Sequence, residues 1–339
     1  MSRVYCGLVP LLLIILVALS LTPSGDARAQ QKSQSQEGRP QSQEVPGQTI
    51  RLGAALVNVL FSVTDKQNRY VNDLTAGDVK VLEDGKPQDI FTFKRESDLP
   101  LTMAILVDVS NSVVPVLPQL TDASARFINS VMRPNKDMAA LIEFEGEATI
   151  VRDLTTNAAL LRRGLAEIAR NAPPQWKRRM PPPIIPGERK GGTSIFDSVI
   201  AACADLLAKQ VGRKTIILFT DGYDTTSLTE RTEAIEEALR AEVVVYAIGI
   251  GDSSEDGVDR KELEKLCEPT GGRAFVPKNV EGLDQAFEQL ERELRQQYLV
   301  AYEPANMTTD GKFRKIEVRI ATRKDIRVRH RRGYYAPGS

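Results

Sequence analysis

From residue 101 to 107 the chain reads L-T-M-A-I-L-V, almost all apolar and free of Gly and Pro, and the run then stops at Asp108, Ser110 and Ser112. An apolar run of this length predicts a strand covered on both faces, as in the middle of a parallel sheet flanked by helices. Beyond it, strands predicted over 138–144, 215–220, 243–250 and 273–276 alternate with helices predicted over 116–132, 158–169, 195–208, 229–241, 260–267 and 280–297. That alternation implies crossover connections and a three-layer, doubly wound α/β domain with a mostly parallel sheet. A further strand over 148–151 follows 138–144 after only Glu145-Gly146-Glu147. The link is too short for a crossover, so this strand is expected at an antiparallel edge.

The flanks have a different period. Short strands are predicted over 52–64, 78–82 and 89–93, with a turn at Glu83-Asp84-Gly85-Lys86-Pro87, and again over 297–302, 313–320 and 326–331. Neither flank has enough strands to be stable alone. The two are therefore expected to combine, residues 49–97 with 298–339, into a small all-β sandwich in which the α/β domain, 98–297, is inserted. The rhythm breaks over 172–192, where six prolines surround the single Trp176 and the basic residues Lys177, Arg178 and Arg179. A loop that long without periodicity is usually functional or disordered.

The N-terminus reads as a targeting segment. Arg3, an apolar stretch over 8–21 and Ala27-Arg28-Ala29 match a signal peptide cut after Ala29, and the apolar stretch is shorter than the ~20 residues of a spanning helix. Residues 30–48, rich in Gln, Ser, Pro and Glu, read as a disordered linker. The mature protein is thus expected to be secreted or periplasmic, with no membrane attachment after cleavage. The 339 residues carry 45 basic and 45 acidic side chains, and losing Arg3, Asp26 and Arg28 leaves them nearly balanced. No net field would draw nucleic acid. Cys203 and Cys267 would meet an oxidising compartment, yet both fall in predicted helices, and two buried thiols are favoured over a bridge.

Three polar stretches end up at one sheet edge in this reading: D-V-S-N-S from Asp108, G-G-T-S over 191–194, and Thr220-Asp221-Gly222. Ligands of open α/β sheets bind at that edge. Carboxylates and hydroxyls without thiolate or imidazole suit a hard divalent cation. The bland alternative for Asp108 and Ser110 is a capped turn. These three motifs, in this order, resemble the metal-ion-dependent adhesion site of von Willebrand factor type A domains, over roughly residues 99–297. By that resemblance Asp108, Ser110, Ser112, Thr193 and Asp221 hold Mg²⁺, with Mn²⁺ or Ca²⁺ as alternatives. One position then stays open for an Asp or Glu of a protein partner. The flanks L-T-A-G-D-V-K-V-L-E-D-G-K-P-Q-D-I, D-G-K-F-R-K-I-E-V-R and R-R-G-Y-Y-A-P resemble secreted bacterial VWFA-related proteins.

The implied function is a secreted, cation-dependent protein-binding or adhesion module and not an enzyme. A metal-assisted hydrolase and a structural envelope protein are the alternatives. The chain has one histidine, His330, expected as a solvated strand residue, so a Ser-His-Asp triad lacks its base. A glycine-rich phosphate cradle is also missing, which argues against nucleotide binding. Glu143, Glu145 and Glu147 are read as hairpin surface, and Asp252, Glu255 and Asp256 as a solvated loop. Trp176, Lys177, Arg178 and Arg179, directly upstream of Thr193, are candidates for selecting acidic partners. The helix over 280–297 runs into the next strand, so a shift of that helix on binding would reach the β-module.

Overall fold

The N-terminal flank forms four strands: β1 (Val57–Asp65), β2 (Val79–Glu83), β3 (Lys86–Gln88) and β4 (Ile90–Arg95). A computed structural model describes residues 56–95, 99–172, 192–251 and 257–338, all within one folding unit spanning Leu52–Ser339. The predicted signal peptide and linker, the loop residues Trp176, Lys177, Arg178 and Arg179, and Asp252, Glu255 and Asp256 lie outside the described residues.

The α/β part follows in the predicted order: β5 (Leu101–Asp108), α1 (Leu117–Val131), β6 (Met138–Phe144), β7 (Ala148–Thr155), α2 (Ala158–Asn171), α3 (Ile195–Ala201), β8 (Arg213–Thr220), α4 (Arg231–Arg240), β9 (Val243–Gly249), α5 (Arg260–Cys267), β10 (Ala274–Phe275) and α6 (Val280–Arg295). Its sheet runs β10-β9-β8-β5-β6-β7, parallel except for β7, which pairs antiparallel with β6 at the edge. All eight residues of β5 are buried. Alternation along a strand sends Met103, Ile105 and Val107 into a core with α1, α2 and α6, and Ala104 and Leu106 into a second core with α3, α4 and α5. Burial on both faces is what made the run unbroken.

Local sequence sets the helix starts. Pro118 sits in the first turn of α1, where its missing N–H has no intrahelical partner to lose. Asn157, Asp259 and Asn279 cap α2, α5 and α6 through their side-chain oxygens. Beyond α3 the helix expected to 208 continues as a π-helical turn, Ala202–Leu207. Cys203 and Cys267 are both free and buried, and burial pushes both thiols up.

The C-terminal flank adds β11 (Tyr298–Tyr302), β12 (Phe313–Ile320), β13 (Ile326–His330) and β14 (Gly333–Tyr335). Strands from the two flanks interleave in two four-stranded sheets, β13-β1-β11-β4 and β14-β12-β2-β3. Val57, Val59, Phe61 and Val63 of β1 meet Val81 of β2, Ile316 and Val318 of β12 and Tyr298 of β11 in a third core. Phe61 stacks on Tyr298 at 5.3 Å between ring centres. The inserted architecture is therefore the observed one.

Three expectations are corrected. The turn expected over 83–87 runs into a strand that was not expected, β3, while the strand predicted over 89–93 is β4. Asp84 and Gly85, both at positive φ, turn β2 into β3, and the chain then crosses to the other sheet as β4, beside β11. The strand β14 was not predicted. His330 is not a solvated residue: its half-buried ring accepts a hydrogen bond from the Val318 backbone N–H at Nε2 and faces the Arg331 carbonyl at Nδ1.

Candidate metal centre

At the C-terminal ends of β5, β6 and β8 the parallel register places Asp108 opposite Phe144 and Val107 opposite Phe219, so Asp108 and Thr220 end adjacent strands. The order β9-β8-β5-β6 makes this the point where the sheet's winding reverses, the crevice in which such folds bind ligands.

The Asp108 carboxylate is fully buried and held from two sides. Its Oδ1 accepts the Ser110 N–H at 2.8 Å, and its Oδ2 accepts the Thr220 hydroxyl at 2.6 Å. The Ser110 and Ser112 hydroxyls stand 3.2 Å apart. Asp221, also buried, accepts the Tyr223 N–H at 3.0 Å, and its carbonyl accepts the Asp259 N–H at 2.8 Å. Burial raises the Asp108 carboxyl to about 7, opposed by the bonds from Ser110 and Thr220 and reinforced by the like charge of Asp221. Among the described residues, neither aspartate forms an ion pair with a basic side chain.

Thr193 reaches the same edge from the other side of the chain. Its N–H donates to the Thr225 hydroxyl at 2.8 Å, and its carbonyl accepts the N–H groups of Thr225 and Thr226 at 2.9 and 3.1 Å. Ser194 fastens this loop to β6, donating from its N–H and hydroxyl to the Glu145 carbonyl at 2.8 and 2.9 Å. Gly192 is required by space, because a Cβ there would lie 2.0 Å from Thr226 Cγ2. Further along, Asp224 Oδ2 accepts the Phe196 N–H at 3.1 Å, and Asp197 accepts the N–H groups of Leu228 and Thr229. The loop after Asp221 is thereby stitched to the start of α3.

All five residues singled out in the sequence thus lie at one sheet edge, Asp108 as the last residue of β5 and Ser110, Ser112, Thr193 and Asp221 on loops there. Sequence reasoning placed Thr220 in a motif without giving it a part, and it missed Thr225, which bonds Thr193, and Asp224, which bonds the start of α3. The T-D-G-Y-D-T-T-S run held the signal, as a cluster of short oxygen side chains beyond the motif itself. Glu143 and Glu145, expected at the surface, are half-buried, and burial raises both carboxyls.

The donor set fits a hard divalent cation. Two buried carboxylates of like charge without a basic partner carry a desolvation cost that a cation would offset, and the remaining oxygens are hydroxyls, which such ions accept alongside water. Among the described residues, no three His, Cys, Asp or Glu side chains gather as a metal cluster. The oxygens that would hold an ion here are those of the two carboxylates, Asp108 and Asp221, and of the hydroxyls of Ser110, Ser112 and Thr193.

A search of curated proteins finds no match. Among solved structures, proximal thread matrix protein 1 from the mussel byssus is 19% identical, with a TM-score of 0.47, covering 63% of this chain and 51% of that one. The chain thus spans about half the length of that relative, which has also been solved with a zinc-occupied MIDAS motif. BatB, a conserved hypothetical protein from Bacteroides thetaiotaomicron, is 16% identical over 58% of this chain and 99% of its own, at a TM-score of 0.42. A von Willebrand factor type A protein from Catenulispora acidiphila is 13% identical over 85% of this chain and 75% of its own, at 0.46. The sequence pattern of the von Willebrand factor type A domain matches residues 185–289, a stretch that includes Thr193 and Asp221. Within the α/β part, it is residues 185–289 that carry the von Willebrand factor type A domain pattern.

Proposed function

We propose that this domain is a divalent-cation-dependent module that captures an acidic side chain of a protein partner, and that it works outside the cytoplasm, secreted or in a periplasm. The observation that supports this most is the fully buried Asp108 carboxylate, fixed by Ser110 and Thr220 and left without a basic partner among the described residues. Bound there, Mg²⁺ would supply a Lewis-acid position that a partner's carboxylate completes. The chain's own residues orient the set: Thr220 and the Ser110 N–H hold Asp108, Thr225 holds Thr193, and the Tyr223 N–H holds Asp221. Unlike charges meeting in a partly desolvated site attract more strongly than in water.

The proposed site binds and does not catalyse. Asp108 and Asp221 both belong to the oxygen set, and the one histidine, His330, is bonded to Val318 inside the sandwich. Trp176, Lys177, Arg178 and Arg179 remain, on sequence grounds, the proposed selectors of acidic partners. The coupling proposal also stands. Helix α6 ends at Arg295 and β11 begins at Tyr298, so movement of one would reach the other across two residues.

The test is an array of short peptides with and without a central Asp or Glu, probed with the full chain. Retention on the acidic peptides in Mg²⁺, with release by EDTA, is the expected result. Retention that ignores both the acid and the chelator would reject the reading.

A further inference from the structure

A cavity of about 420 Å³ opens at the opposite, N-terminal edge of the central sheet. That volume falls in the ~300–1,000 Å³ range of small-molecule sites. Both modules build it: Asn58, Leu60 and Leu299 come from the sandwich, Lys214 and Leu239 from the α/β domain, and Leu99 from the link between them. Most of the wall is apolar. Among the described residues its charge is unbalanced, because Arg213, Lys214 and Arg331 line it against one carboxylate, that of Glu242.

The three cations are not equivalent. Arg213 is turned to the backbone, donating to the carbonyls of Leu294 and Leu99. Arg331 donates to the Asn58 carbonyl at 2.6 Å and pairs with Glu242 at 3.1 Å. Lys214 is half-buried, and among the described residues no hydrogen bond or ion pair engages its ammonium. Burial pulls its pKa down, with Glu242 opposing. An ammonium held partly out of water without a partner carries a cost that an arriving anion relieves.

We propose that this cavity binds a small amphipathic anion, an apolar body bearing one carboxylate or sulfonate, whose head pairs with the Lys214 ammonium while Leu60, Leu99 and Leu299 cover the body. The site is separate from the metal centre. Lys214 and Asp221 lie seven residues apart along β8, roughly 20 Å at the rise of a strand. Occupancy therefore does not require a cation. Because the wall comes from both modules, a bound anion also stabilises their junction.

The experiment titrates the full chain, in EDTA, with the apolar anion anilinonaphthalene sulfonate, followed by displacement with dodecanoate. Wild type should bind one equivalent, and dodecanoate should displace it. Lys214→Met keeps the methylene packing and should lose at least roughly tenfold in affinity, the usual worth of a charge-assisted contact. Val211, at the mouth of the cavity, is 87% exposed. Substitution there leaves the fold intact, so Val211→Asp should weaken binding by repulsion and Val211→Lys should not, whatever Lys214→Met does to folding. No binding by wild type, no displacement, or equal affinity across the Val211 pair would overturn the proposal.

Discussion

The Thr220 hydroxyl donates to Asp108 Oδ2 over 2.6 Å, tying the ends of β8 and β5 together where the proposed cation would sit. The same oxygen accepts the Gly222 N–H at 3.2 Å, so one side chain orients the buried carboxylate and the turn that carries Asp221. Thr220→Val keeps the shape and removes both bonds. It should destabilise the fold by about 1–3 kcal/mol and weaken Mg²⁺ binding by roughly 10–100-fold, as loss of an orienting partner does in metal sites. Thr220→Ser should restore most of both. Urea denaturation and calorimetry measure the two effects, and a variant with unchanged Mg²⁺ affinity would remove Thr220 from the site.

Gly192 tests how the Thr193 loop is held. In Gly192→Ala the new methyl meets Thr226 Cγ2 at 2.0 Å, so the loop must move and carry Thr193 with it. Cation affinity should fall, and the double variant Gly192→Ala/Thr226→Ala, which removes the clashing methyl, should recover part of the loss. A double-mutant cycle with no coupling would place Thr193 outside the binding set.

Glu293, almost wholly buried in the last turn of α6, pairs with Arg273 at 2.8 Å and lies 3.7 Å from Arg329 of β13. The Tyr70 hydroxyl donates to it at 3.3 Å. Removing one partner of such a group strands the others, so Glu293→Ala should cost about 3–5 kcal/mol in denaturant unfolding. A loss under about 1 kcal/mol, the scale of a surface pair, would mean that this junction between the α/β domain and the sandwich is solvated.

His330 gives the fold a pH dependence. Burial lowers its pKa below the ordinary value of 6.5, partly opposed by its bond to the Arg331 carbonyl and by Glu317. As the pH falls past 6.5 the unfolded chain takes up this proton first, so it binds more protons and stability drops toward the depressed pKa. Above 6.5 the contribution is complete. Urea midpoints at about pH 7.5 and about pH 5.5 should therefore differ, and the difference should shrink in His330→Gln, whose amide oxygen can still accept from Val318. An identical pH dependence in both proteins would show that other groups carry it.

The strongest features of the sequence were those in which one physical demand governs many consecutive residues. Burial on both faces wrote the apolar run of β5, and helical periodicity wrote α1, α2, α4 and α5 nearly to their ends. The site was legible because Asp108, Thr193 and Asp221 each follow or precede such an element. Short elements were not. The three residues of β3 and of β14 make no periodic signal, and a two-residue turn at Asp84-Gly85 does not say to which sheet the chain returns. The orienting bonds were hidden for another reason: Thr193 to Thr225 and Thr220 to Asp108 join residues 32 and 112 positions apart. His330 was misplaced because its basic neighbours read as solvent-facing, while the backbone N–H it serves lies on another strand.

The central claim is that Asp108 and its neighbours hold a divalent cation. Calorimetric titration of the full chain with MgCl₂, beside Asp108→Ala, tests it most directly. The account predicts one equivalent bound by the wild type, reversed by EDTA, and none by the variant, with both proteins showing the same circular dichroism. Equal Mg²⁺ binding by the two proteins, or none by the folded wild type with Mg²⁺, Mn²⁺ or Ca²⁺, would contradict it.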